Sequence, residues 1–118
     1  MIRSYKESDQ VLARVSPDST DPVTLFQPIG NQIKEINKIM ICNTHTVAVT
    51  VDIYLCTVGD TPSVDQALFY QVSIAANSTE ILEGAGLPIQ GIAEDVLMCK
   101  VSNADKINFI VLGSELSL

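Results

Sequence analysis

The sequence predicts an all-β protein: an antiparallel, jelly-roll-like β-sandwich of about eight strands carrying an irregular N-terminal arm. Three observations predict it. The run from Val47 to Cys56 has an aliphatic residue at every odd position through Leu55, and a small, polar or amphipathic one at every even position. That is the period of a strand with one face in a core. The same habit returns to the end of the chain in short segments at roughly ten-residue intervals. Gly, Pro, Asn and Asp, rather than helix-length stretches, separate the segments, which favours a sandwich or barrel. An immunoglobulin-like sandwich is the second choice of architecture.

Residues 1–22 are the least regular part. Charged and polar residues dominate there, and Pro17 and Pro22 frame Asp18-Ser19-Thr20-Asp21. The alternation of Val11, Ala13 and Val15 is enough for one short strand. The chain therefore divides into an arm over 1–22, able to dock on a neighbouring subunit, and a sandwich domain over 23–118. Val23 to Gln27 reads as a strand closed by Pro28 and Gly30. In Gln32–Asn43 the positions Ile33, Ile36 and Met40 fit helical spacing, but Ile39 and Ile41 alternate directly towards the Val47 strand, and isoleucine is β-branched. The alternation slips between Ile36 and Ile39, so a β-bulge is expected near Asn37-Lys38. Asn43-Thr44-His45-Thr46 then reads as a hairpin loop.

Thr57 to Gln66 is a polar loop. Ala67 to Ile74 alternates again, with Leu68, Tyr70, Val72 and Ile74 expected on one face. Asn77-Ser78 is the next turn. Thr79 to Glu83 is a short strand ended by Gly84-Ala85-Gly86, with Leu87-Pro88-Ile89 as a brief extended segment. Val96–Ser102 places Leu97, Cys99 and Val101 on one face. Ile107–Glu115 is apolar on both faces, as expected of a strand central in its sheet or buried against another subunit.

Composition bounds the chemistry. The chain has 118 residues, one domain by length. Its formal net charge of −7 opposes non-specific phosphate binding, so no nucleic acid is expected. No apolar run approaches a bilayer span of ~20 residues, and no membrane partner is expected. The polar stretch Met1 to Gln10 is not expected to be a signal peptide. With three Tyr, three Phe and no Trp, stacking platforms for single strands or sugars are scarce. Cys42, Cys56 and Cys99 are widely spaced and lie in or beside apolar strands, so reduced, packed cysteines are expected rather than a disulfide framework.

No catalytic, cofactor-binding or metal-binding residues are expected, and no cofactor. His45 is the single histidine, too few for a metal-dependent cupin and placed in a turn rather than beside a nucleophile. Glu80, Glu83, Glu94 and Asp95 are the only candidates for paired carboxylates, and no aromatic cleft accompanies them. Calcium at Asp60 or Glu94-Asp95 lacks the spacing of a recognised loop. Gly84-Ala85-Gly86 precedes Pro88 and no helix, so it is not a phosphate cradle. What remains is a surplus of apolar surface. Ile36–Ile41, Val96–Val101 and Ile107–Leu112 carry aliphatics on both faces, more than one two-layer core takes up, which points to a homo-oligomer.

The residues also resemble a family. Ile39-Met40-Ile41-Cys42-Asn43-Thr44 followed by the Val47–Leu55 strand, then Leu68-Phe69-Tyr70, Ile74-Ala75-Ala76-Asn77-Ser78-Thr79, Asn108-Phe109-Ile110-Val111 and Gly113-Ser114-Glu115, resemble small β-sandwich structural proteins of tailed-bacteriophage particles. The resemblance spans about residues 23–116, and departs from the family at 1–22 and at Gly91–Asp95. It implies a non-enzymatic virion component, often a homotrimer, of the capsid cement or decoration type. Such a protein is made in the host cytoplasm and located on the particle surface, with the major capsid protein as partner. Tail, neck, baseplate or fibre parts are the alternative within the virion, and a carbohydrate-binding module is the alternative outside it.

Overall fold

In the computed structural model, residues 10–115 are described. Met1 to Asp9, the outer part of the expected arm, lie outside them. Eight strands form: β1 (Gln10–Val15), β2 (Val23–Phe26), β3 (Ile33–Asn43), β4 (Val49–Thr57), β5 (Ala67–Ile74), β6 (Ser78–Gln90), β7 (Asp95–Val101) and β8 (Ile107–Glu115), with one 3₁₀ turn at Val64–Gln66. They make two four-stranded antiparallel sheets, β1-β8-β3-β6 and β2-β7-β4-β5. This is the eight-stranded, double-sheet jelly roll. Every connection except β4–β5 passes from one sheet to the other. Within the arm expected over 1–22, Gln10–Val15 is the short strand that Val11, Ala13 and Val15 allowed, and it pairs with β8.

The core lies between the sheets. Ile36, Ile39 and Ile41 of β3, Val49, Val51 and Ile53 of β4, and Leu97, Cys99 and Val101 of β7 are buried, and Ile107, Phe109 and Val111 of β8 meet them. The period-two patterns of β4 and β7 thus face inward as their sequences predict. β8 is central, between β1 and β3; one of its apolar faces packs in the core and the other lies on the outside of the sheet.

The expected bulge exists. β3 shifts register between Ile36 and Lys38 against both β6 and β8, which leaves Asn37 as the extra residue. It is one of a line of irregularities across the sheet. β1 shifts between Val11 and Ala13. On β6, Gly84-Ala85-Gly86 stands opposite Asn37, with Ala85 and Gly86 at positive φ. These three residues therefore do not end the strand as their sequence suggests. Glycine tolerates the backbone turn, and β6 runs on from Ser78 to Gln90. Gly113 sits on this line, where a Cβ would overlap the Glu35 carbonyl oxygen and press on Leu12 Cδ1 at 2.8 Å. Glycine is needed there for close approach of strands rather than for turning.

Two further expectations are corrected. Asn43–Thr46 is not a hairpin loop: β3 and β4 lie in different sheets, so Cys42 and Cys56 are not hairpin neighbours. A short polar turn is compatible with a sheet crossing as well as with a hairpin. On β5, Leu68 and Tyr70 point outward while Val72 and Ile74 pack inward. The cause is an extra residue, Gln71, at φ 54°, which reverses the alternation. The Asp52 carboxylate holds it, accepting the Gln71 N–H at 2.6 Å through Oδ1 and the Tyr54 hydroxyl at 3.0 Å through Oδ2.

Backbone hydrogen bonds tie the loops at both ends. At one end Asp105 N donates to Pro17 O, Thr44 N to Lys106 O, and Asn77 N to His45 O. At the other, Gly91 N donates to Gln32 O and Val58 N to Glu94 O. Asn43 anchors the first end. It is the one buried side chain of polar type among the described residues, 1% exposed. Its Nδ2 donates to Val47 O and Ile74 O, both at 3.0 Å, and to Ala75 O at 3.2 Å; its Oδ1 accepts His45 N at 2.8 Å.

Asn43→Ala is expected to cost about 3 kcal/mol by removing the hydrogen bonds to the buried Ile74 O and to the half-buried Val47 O and His45 N, measured by chemical denaturation. Asn43→Asp is expected to be worse at neutral pH, because a carboxylate would face three carbonyl oxygens. It should recover in part as pH falls, since burial and those carbonyls raise the introduced acid's pKa and its protonated form can donate. Gly113→Ala is expected to cost about 2 kcal/mol or more, since a backbone carbonyl has to move to admit the methyl group.

Candidate interaction surface

The residues to which sequence analysis gave a chemical hearing are occupied by structure. His45 is half-buried in the β3–β4 crossing; its N–H is held by Asn43 and its Nδ1 accepts Thr46 N at 2.9 Å. Glu80 is in register with the inward-facing Ile41, and Glu83 with Lys38. The bulge leaves Lys38 pointing away from the core, so the two carboxylates lie on opposite faces of β6. Asp95 Oδ2 accepts Gln90 N at 2.8 Å, closing the β6–β7 turn. Asp60 Oδ2 accepts Thr57 N at 3.2 Å and Gln66 Nε2 at 2.9 Å. Asp95 and Asp60 thus hold turns, whereas Glu80 and Glu83 stand on β6. No group of three or more His, Cys, Asp or Glu converges among the described residues, and none of their helices is long and apolar enough to cross a membrane.

Two of the depressions among the described residues lie on or beside the sheet faces. One, of about 360 Å³, lies on the outer face of the β2-β7-β4-β5 sheet and is lined by Thr50, Asp52, Gln71, Lys100 and Ser102. Asp52 and Lys100 are cross-strand neighbours there. The lining is polar and holds no aromatic ring. The other, of about 160 Å³, opens between the edge strands β5 and β6 and is lined by Ile36, Ile39, Leu68, Leu87 and Leu97 among others.

The apolar surplus divides unequally between the two outer faces. On the β2-β7-β4-β5 sheet, Tyr54, Cys56 and Val96 form a second buried cluster, closed by Ala67 and Met98. This face covers those three and leaves Tyr70 49% exposed on its edge strand β5. Burial first, then the hydrogen bond to Asp52 and that carboxylate's charge, push the Tyr54 phenol up to about 12. Burial, then the Asp60 charge, raises the Cys56 thiol. Burial alone pushes Cys99, inside the main core, up to about 12. All three cysteines are free thiols.

Among the described residues, the outer face of the β1-β8-β3-β6 sheet has no such closure. Register places Val11, Leu112, Ile110, Met40 and Ile81 on it in two adjoining rows. Val11 is 46% and Ile81 49% exposed, and the three between them are half-buried. This is the apolar face that β3 and β8 predicted, assigned to one sheet. The alternation alone did not reveal that the other sheet closes over Tyr54, Cys56 and Val96.

No protein-family model matches the chain, and no curated protein is significantly similar to it. Among solved structures it is similar to a chain of infectious bursal disease virus Gt strain, with 14% identity and a TM-score of 0.44 over 98% of this chain and 34% of that one. The chain therefore spans about a third of that protein's length. It is also similar to Tobacco streak virus coat protein. The match to the dimer structure has 12% identity and a TM-score of 0.43, covering 93% of this chain and 86% of that one. The match to a second crystal form has 11% identity and a TM-score of 0.41, covering 93% and 85%. The fold itself rests on the strand order and register given above.

The raised thiol and phenol define an alkaline limit. The unfolded chain ionises Cys99 from about 9 and Tyr54 from about 10, whereas the folded chain keeps both protonated to about 12. The unfolded state therefore binds fewer protons in this window, and stability falls as pH rises through it. Denaturation midpoints are expected to decline across that range. Tyr54→Phe and Cys99→Ala should each flatten the decline, the cysteine substitution from the lower pH.

Proposed function

We propose that this chain is a non-enzymatic structural component of a bacteriophage particle, a cement or decoration protein that binds the outside of the head and stabilises the major capsid protein lattice. One observation carries the reading. Two of the segments on which the resemblance to phage structural proteins rests, Asn43-Thr44 and Ile74–Asn77, meet through the Asn43 side chain and the Asn77-to-His45 hydrogen bond. The shared residues are thus ones that shape a jelly roll's crossing loops, which supports a common build rather than chance similarity of strand patterns. The apolar outer face of the β1-β8-β3-β6 sheet supports a chain that works in an assembly.

The mechanism needs no chemistry. A protein that binds assembled lattice and not free subunits stabilises the lattice by mass action. A homo-oligomer, the trimer of the resembling family included, would touch several capsid subunits at once and gain from effective concentration. Met1 to Asp9, which precede β1 at the sheet edge, are the segment we assign to reaching a neighbour.

Particles of the encoding phage are expected to contain the chain in head fractions by mass spectrometry. Particles made without its gene should assemble but release their genome at a lower temperature, and added purified protein should restore the difference. Its presence in tail fractions would move it to the tail, baseplate or fibre, and its absence from particles would reject a virion role.

A further inference from the structure

We propose that the end of the sandwich formed by the β2–β3, β4–β5 and β6–β7 loops is the surface through which this chain docks on another protein, and that the surface it meets is basic with exposed apolar side chains. The inference deepens the lattice binding proposed above and rests on that reading. Its test on the isolated chain separates its failure from failure to bind a capsid.

Apolar side chains gather at this end. Ile29 is 77%, Ile92 72% and Val64 63% exposed, the three most exposed large apolar side chains among the described residues, and Val58 is 44% exposed. One such residue on a surface is ordinary, whereas several on adjoining loops mark a contact. Ile29 opens the turn in which Gln32 N donates to Ile29 O at 3.0 Å. Ile92 is second in the turn in which Glu94 N donates to Gly91 O at 2.9 Å. Turn positions favour Gly, Pro, Asn, Asp or Ser, so local structure does not account for an isoleucine at either. The loops are also tied together. Gly91 N donates to Gln32 O at 2.9 Å and Val58 N to Glu94 O at 2.8 Å, and a Cβ on Gly91 would overlap Gly30 O. The tips are thus held in place before a partner arrives, which lowers the ordering cost of binding. Between them lies a depression of about 440 Å³, lined by Pro28, Ile29, Val58 and Glu94 among others.

Charge selects the partner. Residues 27–32, 58–66 and 91–95 contain Asp60, Asp65, Glu94 and Asp95 and no Lys, Arg or His. Among the described residues none of the four carboxylates is in an ion pair, and Lys34, at the start of β3, is paired with Glu115. The opposite end differs. Its loops hold Asp18, Asp21 and Asp105 against Lys106, and Val47 is their one exposed large apolar side chain among the described residues. At the end carrying Ile29 and Ile92, the same end of a second copy is repelled, and so are nucleic acid and anionic lipid headgroups. A protein surface with Lys or Arg around apolar side chains is matched on both counts. The depression suits one such side chain, its aliphatic stem against Ile29 and Val58 and its charged head at Glu94.

The strand register joins this end to the arm. Ile33 pairs with Gln90 and Lys34 with Glu115 at this end, and Gln10, the first residue of β1, pairs with Gly113 close by. The segment assigned above to reaching a neighbour therefore enters the sandwich on the side that docks.

Amide chemical shifts of the full chain, titrated with a short Lys-Leu peptide, test this. Shifts are expected in residues 27–32, 58–66 and 91–95 and not on the sheet faces, and they should weaken as salt is added. A Glu-Leu peptide should cause none. Two paired variants, Ile29→Ser with Ile92→Ser and Asp65→Lys with Glu94→Lys, replace exposed side chains. Each pair is expected to weaken peptide binding about tenfold, and its shifts away from the loops report whether the fold is kept. On particles made without the gene, both pairs are expected to bind about tenfold less tightly than the unaltered chain. A full chain that binds the peptide at these loops but binds no particle supports this surface and rejects the head reading instead. Absence of shifts with the Lys-Leu peptide, shifts on the sheet faces or at the Asp18–Asp21 end, or variants that bind like the unaltered chain overturn the proposal. Binding to phosphatidylcholine vesicles that needs the isoleucines and ignores the charge variants also overturns it, by making this end a membrane contact.

Discussion

The Asn43 side chain is the interaction on which the rest of the architecture hangs. A jelly roll asks its chain to leave one sheet and enter the other at nearly every turn, and each crossing exposes backbone groups that no ladder satisfies. Asn43 stands at the last position of β3, in phase with Ile39 and Ile41, and so points into the end of the core. An apolar residue there would bury as well but would take a hydrogen bond from Ile74 O in the core and from Val47 O and Ala75 O at its margin, the last still held by the Ser78 hydroxyl. A charged one would lose its hydration without a counter-charge. The amide supplies donors to all three carbonyls and an acceptor to His45 N. It thereby fixes the β3–β4 and β5–β6 crossings relative to each other, and hence the seating of one sheet on the other.

Much of this was legible in the chain. Strand existence followed from alternation, because a half-buried strand exposes every second side chain whatever its partners. The bulge at Asn37 was legible for the same reason: a slip of one residue in the alternation is the bulge. Three things were not. Pairing of β3 with β6 and β8 rather than β4 depends on contacts far apart in sequence, which a polar turn does not encode. The reversal on β5 comes from Gln71, whose left-handed backbone is held by Asp52, a residue nineteen positions earlier. The role of Asn43 left a trace, an amide in core phase after two isoleucines, but its three carbonyl partners come from two other segments.

The irregularities of the β1-β8-β3-β6 sheet belong together. Leu12, Asn37 and Gly84–Gly86 interrupt neighbouring strands at nearly one level, and Gly113 lets the strands close up beside them. Bulges increase local twist and re-aim side chains. Here they keep Ile36 and Ile39 both in the core although the two are an odd number of residues apart, and they bring Lys38 and Leu112 to the outer face. The same devices that preserve the core thus compose the outward rows of mixed apolar and charged residues.

Charge and apolar surface are distributed unevenly over this acidic chain. A net charge of −7 on a chain of this size keeps copies apart in solution, and an apolar face without such charge would invite indiscriminate contact. On the β1-β8-β3-β6 sheet Arg14 and Lys38 stand among the apolar rows with Glu35 and Glu83, so that face is neutral although the chain is acidic. The other sheet pairs Asp52 with Lys100 on its outer face and closes Tyr54, Cys56 and Val96 beneath Ala67 and Met98.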